Sequence, residues 1–384
     1  MGSQTSLPAP CGPFQVGYID LMTEGSATTG SFIRIHYPAP ANTSTSEPPL
    51  WTGKKCTVGM VNSMVACIWN WPSWGNCSEY LGLDFARKMF TPATYAATFN
   101  FGWGYSSAQK FTIPICKDAP IAPHVGSGWP VVVFSHVMGS NRYTMSQVCY
   151  QLASMGVVVV AIDHREGSAF WSFSKEGDKV EEIHHLFVPV DEHEYEVRNK
   201  QVNHRCEEVI RTIEILDKLS QGKPIPNVYE DSIKTDLTFL KSSLDLTSHL
   251  YLMGHSLGGA TVLLASSVDA RVKAVLALDP WMFCLASQKF QIDKATLVVN
   301  SEKFLHRNNL RVIEEASKNI SDVRFKVFPI GVHLSSTDLP SVFTQTALRK
   351  ALGFMDVVQP ETVTVELNKI VWDWLKNLIN CTSI

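Results

Sequence analysis

A chain of 384 residues with 45% hydrophobic and 18% charged side chains can bury a large core within one domain. Its net charge is −3 and its Lys and Arg are scattered, which argues against an electrostatic surface for nucleic acid. Nine cysteines with no C-x-x-C pair and no regular spacing read as reduced thiols rather than a disulfide framework or a zinc site.

In chain order, the N-terminus "MGSQTSLPAPCGPF" has neither a basic n-region nor an apolar h-region, so no secretory leader is expected. The sequons at Asn42, Asn76, Asn319 and Asn380 would matter only in a secreted chain. Met1-Gly2-x-x-x-Ser6 has the spacing of an N-myristoylation signal with Gly2 as acceptor. One acyl chain holds a membrane only marginally, so a second contact would be needed. No run of 18 or more apolar residues suggests a transmembrane helix. The expectation is a cytoplasmic protein associated peripherally with membrane.

The first ~50 residues form an N-terminal extension to one 1–384 domain. It includes the strand "SFIRIHYP" and a Pro/Ser/Thr-rich loop, Ala39–Pro49. Residues 57–110 differ in character. Thr57–Ser78 carries no charge and gathers Trp69, Trp71 and Trp74 around Pro72, and "TPATYAATFNFGWGY" follows at Thr91–Tyr105. Such a segment is either buried lining or an apolar surface that touches lipid, and burial is the commoner fate of large apolar side chains.

From Trp129 the pattern becomes regular. "WPVVVFSH" and "GVVVVAID" are continuous apolar runs, as strands covered on both faces should be, and the helical stretch Tyr143–Met155 separates them. A helix over Val202–Leu219, a strand over His249–Met253 and a helix from Gly259 come next. The strands Val272–Asp279, Ala295–Ser301 and Val323–Pro329 complete the series. Alternating strands and helices predict an α/β fold with a mostly parallel central sheet and helices on both faces.

Between the His249–Met253 strand and its helix stands Gly254-His255-Ser256-Leu257-Gly258, a G-x-S-x-G sequence in the strand–turn–helix context of a nucleophile elbow. A serine hydroxyl is a poor nucleophile until a base takes its proton, and the base must be oriented by a carboxylate. In the α/β-hydrolase order the acid and then the histidine follow the serine. Only His306 and His333 follow Ser256. His333 lies in a Gly-containing loop after the last strand, "FPIGVHLSSTD", whereas His306 opens a polar helix expected to face solvent. For the acid, Asp279 ends one strand before Pro280 and Glu302 follows the next. Position favours Asp279 and leaves Glu302 as a rival. Oxyanion donors are expected from the N–H of Leu257 and of Met138, the latter in the loop "VFSHVMGSNR". His136 reads as a group that orients this loop, His255 as the variable residue of the elbow, and His184-His185 as solvated surface rather than a metal site.

Together these motifs resemble the platelet-activating-factor acetylhydrolases, the calcium-independent phospholipases A2 of α/β-hydrolase fold. Within that family the chain looks most like the intracellular, N-myristoylated member. The likeness runs through "GPFQVGYIDLM", "SFIRIHYP", "VFSHVMGSNR", "DHREGSA", "VRNKQVNHR", "MGHSLGGAT", "LDPWMF" and "GVHLSSTD". It implies Ser256, Asp279 and His333 as the triad, in preference to Glu302, and Leu257 and Met138 as oxyanion donors. It also implies no metal or organic cofactor, a phospholipid as partner, and hydrolysis of an sn-2 ester bearing a short or oxidised acyl chain. A lipid-facing surface including Phe90, Tyr95, Phe99, Phe101 and Trp103 is implied by the same resemblance. Two positions depart from the family: its His-Gly-Leu-Gly loop reads His136-Val137-Met138-Gly139 here, and the usual Phe after the nucleophile is Leu257. Apart from the resemblance, the same residues would serve a carboxylesterase acting on small esters or acylglycerols. A non-catalytic hydrolase-like binding protein is the reading from another class.

Overall fold

A computed structural model of the chain describes residues 6–43, 48–52, 110–124, 126–186, 188, 193–230, 236–329, 331–342 and 360–381. Gly2, Phe90, Tyr95, Phe99, Phe101 and Trp103, with the tryptophan cluster at Trp69–Trp74, lie outside the described residues.

The strands are β1 (Gln15–Met22), β2 (Phe32–Ala39), β3 (Cys116–Lys117), β4 (Trp129–Ser135), β5 (Val158–Ile162), β6 (Trp171–Glu176), β7 (Lys179–His184), β8 (Leu244–His255), β9 (Ala274–Leu278), β10 (Ala295–Ser301) and β11 (Val323–Phe328). Nine of them form one sheet in the order β11-β10-β9-β8-β4-β5-β2-β1-β3. From β5 to β11 every neighbouring pair is parallel, while β2 runs antiparallel to both β1 and β5. The mostly parallel sheet expected from the apolar runs is therefore present, with an antiparallel edge added by the N-terminal strands.

Among the described residues the helices are α1 (Ser146–Ser154), α2 (Glu194–Ser220), α3 (Leu257–Val268), α4 (Arg307–Ala316), α5 (Leu339–Val342) and α6 (Pro360–Cys381). The uniformly apolar strands are explained by what covers them. In β4, Val132 and Phe134 enter the core shared with α1 and α6, while Val131 and Val133 enter the core shared with α2, α3 and α4. β5 alternates in the same way, Val159 and Ala161 against Val158 and Val160. Both faces are buried, so a period-two pattern never shows in the sequence.

Three elements depart from expectation in instructive ways. α1 starts at Ser146 rather than Tyr143, because the buried carboxylate of Asp338, far along the chain, accepts the N–H of Ser146 at 2.9 Å and of Gln147 at 3.1 Å. A distant acid supplies the cap, so no local signal marks the start. α2 begins at Glu194, eight residues before the expected Val202. Its inward stripe there is Glu194, Arg198, Gln201, Arg205 and Glu208, at helical spacing but polar, so apolar periodicity could not reveal it. β8 begins at Leu244 instead of His249, past a register shift against Pro130 and Val131 of β4.

Candidate active site

β4 and β8 are neighbours in the sheet, yet the chain leaves β4 towards β5 on one side and leaves β8 towards β9 on the other. Crevices beyond the carboxyl ends of strands form where connections diverge in this way. β8 ends there at His255 and is followed by Ser256, whose backbone φ is +59° and ψ −118°. A non-glycine residue in that region is strained, and the strain lifts the side chain off the strand end at the first residue before α3. The turn is tight enough to need its flanking glycines. A Cβ on Gly254 would collide with the carbonyl of Gly258, and one on Gly258 would collide with the carbonyl of Ser135 at the end of β4. Ser256 N–H donates to Leu278 O at 2.9 Å, and Ser256 O accepts from Trp281 N–H at 3.0 Å, so the elbow is tied to the strand that carries the acid.

The structure brings together the three side chains singled out from the motifs. His333 Nε2 lies 2.9 Å from Ser256 Oγ, and His333 Nδ1 lies 3.2 Å from Asp279 Oδ2. Burial and the nearby His306 hold the His333 imidazole far below its ordinary range, to about 3. The ring is then neutral at neutral pH, with Nδ1–H donating to Asp279 and Nε2 free to accept from the Ser256 hydroxyl. The Asp279 carboxyl is raised to about 6, chiefly by burial.

Asp279 has its own support, which the motifs did not reveal. Its backbone φ is +41° and its N–H donates to Val299 O at 2.8 Å. Ser301, the last residue of β10, donates its N–H to Oδ1 at 2.6 Å and its hydroxyl to Oδ2 at 2.7 Å. Ser301 immediately precedes Glu302, so the strand end that offered a rival acid supplies the donors for the neighbouring acid. Glu302 itself is exposed. The other rival, His306, does not face open solvent: it is half-buried as the cap of α4, its ring 5.3 Å from that of Phe304.

Aromatic packing fixes the His333 ring on two sides. Phe304 stacks on it at 3.9 Å with an interplanar angle of 14°, and His255 lies 4.7 Å away on a tilted plane. The variable residue of the elbow therefore packs against the imidazole, with its Nε2 3.3 Å from Ser336 Oγ. An aromatic two residues before His306 was the available signal for Phe304, but only the tertiary structure says which histidine it covers.

Leu257 opens α3, where first-turn N–H groups have no acceptor within the helix. Met138 sits in the loop that leaves β4, and the loop is pinned next to it: Gly139 N–H donates to Ser168 O at 2.7 Å and Phe170 N–H to Ser140 O at 3.0 Å. His136, as expected for a loop-orienting group, is fully buried, its Nδ1 2.7 Å from Val137 O and its Nε2 accepting the N–H of His164 at 3.3 Å. His184 stands exposed on β7 of the β6–β7 hairpin, as a solvated surface residue should, whereas His185 is half-buried with its Nδ1 3.2 Å from Ala169 O.

Residues 1–71 and 97–380 match the family "Platelet-activating factor acetylhydrolase, isoform II". The chain belongs to this family. It is 31% identical to the platelet-activating factor acetylhydrolase of Gallus gallus, over 88% of this chain and 75% of the chicken protein. It is 30% identical to that of Canis lupus familiaris, over 81% of this chain but only 64% of the dog protein's length. Among solved structures, a ferulic acid esterase from Streptomyces cinnamoneus superposes with a TM-score of 0.62, covering 98% of this chain and 93% of that one at 18% identity. That likeness speaks for the α/β-hydrolase fold alone. Membership of this family makes the chain a lipid ester hydrolase.

Proposed function

We propose that the protein cleaves the sn-2 ester of platelet-activating factor and of phospholipids with short or oxidised acyl chains, releasing acetate or a short acid and a lysophospholipid. The observation that carries this reading is the Ser256–His333–Asp279 chain at a strained elbow, with hydrogen-bond distances of 2.9 and 3.2 Å. Ser256 Oγ attacks the ester carbonyl while its proton passes to His333 Nε2, and Asp279 steadies the imidazolium. The N–H groups of Leu257 and Met138 receive the negative charge that develops on the carbonyl oxygen. His333 then gives its proton to the departing sn-2 oxygen of the lysophospholipid. Water, deprotonated by the same ring, cleaves the acyl-Ser256 ester and regenerates the hydroxyl.

The substrate class is supported by family membership and by the names of the relatives. Calcium-free release of acetate from an sn-2-acetyl ether phospholipid, run beside a long-chain phosphatidylcholine with wild type and Ser256→Ala, tests it. Rapid acetate release lost in the variant is the expected result. Cleavage of a soluble ester without acetate release from the lipid would turn the assignment to a carboxylesterase.

The same reading places the protein in the cytoplasm and at membrane surfaces, with an acyl chain on Gly2 and the apolar stretch around Phe90–Trp103 as the second contact. The N-terminal motif and the composition of that stretch support it. No helix among the described residues is long and apolar enough to cross a membrane. Mass spectrometry of the N-terminal peptide and vesicle co-sedimentation of Gly2→Ala test the two contacts separately.

A further inference from the structure

Directly behind the oxyanion loop lies a second chain of serine, histidine and carboxylate. Ser135 Oγ, at the end of β4, is 2.7 Å from His164 Nε2, and His164 Nδ1 is 2.6 Å from Glu208 Oε2 on α2. All three are buried: Ser135 and His164 have no exposed surface and Glu208 has 1%. The arrangement matches the order of contacts at Ser256, but it has no room for an ester. The elbow's Gly258 packs on the Ser135 carbonyl so closely that not even a Cβ fits between them.

What this chain touches is the loop that carries Met138. The backbone N–H of His164 donates to His136 Nε2 at 3.3 Å, and His136 Nδ1 reaches Val137 O at 2.7 Å. The other Glu208 oxygen accepts the N–H of Arg165 at 3.0 Å, fixing the segment after β5 from which His164 projects. Arg205, one helical turn before Glu208, donates to His136 O at 2.5 Å and pairs with Glu166 at 2.8 Å. The His136 end of the loop is thus held from the polar stripe of α2 and from the segment after β5, and its Gly139 end by the Ser168 carbonyl. Burial keeps the His164 ring neutral. With Glu208 ionised, one tautomer satisfies both neighbours: Nδ1–H donating to Glu208 and Nε2 accepting from Ser135.

We infer that the buried Ser135–His164–Glu208 chain is a positioning device for the oxyanion hole, setting where the Met138 N–H points. The inference rests on the reading of Ser256 as nucleophile and Met138 as donor. A donor that carries no side-chain identity has to be placed by its surroundings, and here those surroundings are hydrogen-bonded at every link. Val137, in place of a flexible glycine, is itself buried in this loop and narrows its freedom further.

A trifluoromethyl ketone tests it, because Ser256 Oγ adds to the carbonyl carbon, the hydroxyl proton goes to His333, and the carbonyl electron pair becomes an oxyanion in the hole. Active sites are counted by fluorophosphonate labelling taken to completion, so that misfolded protein drops out. Glu208→Gln should lower kcat/KM for a soluble short ester per labelled site, by less than the about 100- to 1000-fold lost when an oxyanion donor itself is removed. Ketone affinity should weaken by the same factor, while KM stays near wild type. Ser135→Ala, which removes only one hydroxyl, should move both quantities together by a smaller factor, and it decides the matter if Glu208→Gln fails to fold. Unchanged ketone affinity per labelled site overturns the inference. Ketone binding that survives in Ser256→Ala, or is absent in wild type, would instead overturn the reading of the nucleophile and of the hole on which the inference rests.

Discussion

Among the described residues two chains of serine, histidine and carboxylate stand on adjacent strands, and only one is placed to do chemistry. Ser256 and Ser135 both bond a buried histidine that bonds a buried acid, at 2.9 and 3.2 Å in one case and 2.7 and 2.6 Å in the other. By hydrogen-bond length alone the Ser135 chain is the better triad. Ser256, however, stands at φ +59° on the N-terminus of α3 with a helix N–H beside it, whereas Ser135 is the last residue of a strand hydrogen-bonded on both sides. The contrast teaches that a nucleophile is defined by where its hydroxyl projects and by the donors around the oxygen it will create. The relay that activates it can be copied elsewhere as structure.

The sharpest way to break this comparison is to remove each hydroxyl in turn. Ser256→Ala should lower kcat for ester hydrolysis by up to about 10⁶-fold. Ser135→Ala should cost far less, and an equal loss measured per labelled active site would mean that the two chains are not distinct in role. Next in size, Asp279→Asn should lower kcat about 10⁴-fold by releasing the imidazole to the wrong tautomer. Steady-state kinetics at saturating soluble ester would read this directly. The corresponding change in the buried chain, Glu208→Gln, should stay below the about 100- to 1000-fold lost with an oxyanion donor itself.

The pH dependence separates the two chains by a different route. The Asp279–His333 pair takes up its first proton where the Asp279 carboxyl sits, at about 6. Wherever that proton resides, the neutral imidazole on a carboxylate is lost. Activity should be full above that range and fall as pH drops through about 6, seen as an acidic limb in kcat/KM. Burial also lifts the Glu208 carboxyl, to about 7, so its protonation adds a loss nearer neutral pH that Glu208→Gln should remove, leaving the limb at about 6. The smallest effect is expected at the exposed rival acid: Glu302→Gln should leave kcat/KM within about twofold, since exposed substitutions away from a site rarely matter.

Much of this could be read along the chain. The G-x-S-x-G between a buried strand and a small-residue helix points to Ser256, because crowding at a strand-to-helix reversal leaves glycine as the only tolerable neighbour. Chain order then narrows the base to two histidines and the acid to two carboxyls. The mostly parallel sheet follows from apolar runs alternating with helices. Position alone could not separate Asp279 from Glu302, since each follows a strand end and the discriminating donors of Ser301 come from the adjacent strand.

What the sequence by itself determined is the local chemistry and its order: the strained elbow, the strand ends that hold the acid and the base, and the apolar strands that carry them. These depend on residues within a few positions of one another, where backbone sterics and burial act directly. Only the tertiary structure decided which groups hold those residues in place. Asp338 caps α1 from beyond the last strand of the sheet, Phe304 stacks on His333, and Glu208 reaches His164 from the polar stripe of α2. Such partners are joined by hydrogen bonds and ring contacts across tens or hundreds of residues, and neither spacing nor periodicity along a chain records which buried polar groups will meet when the layers close.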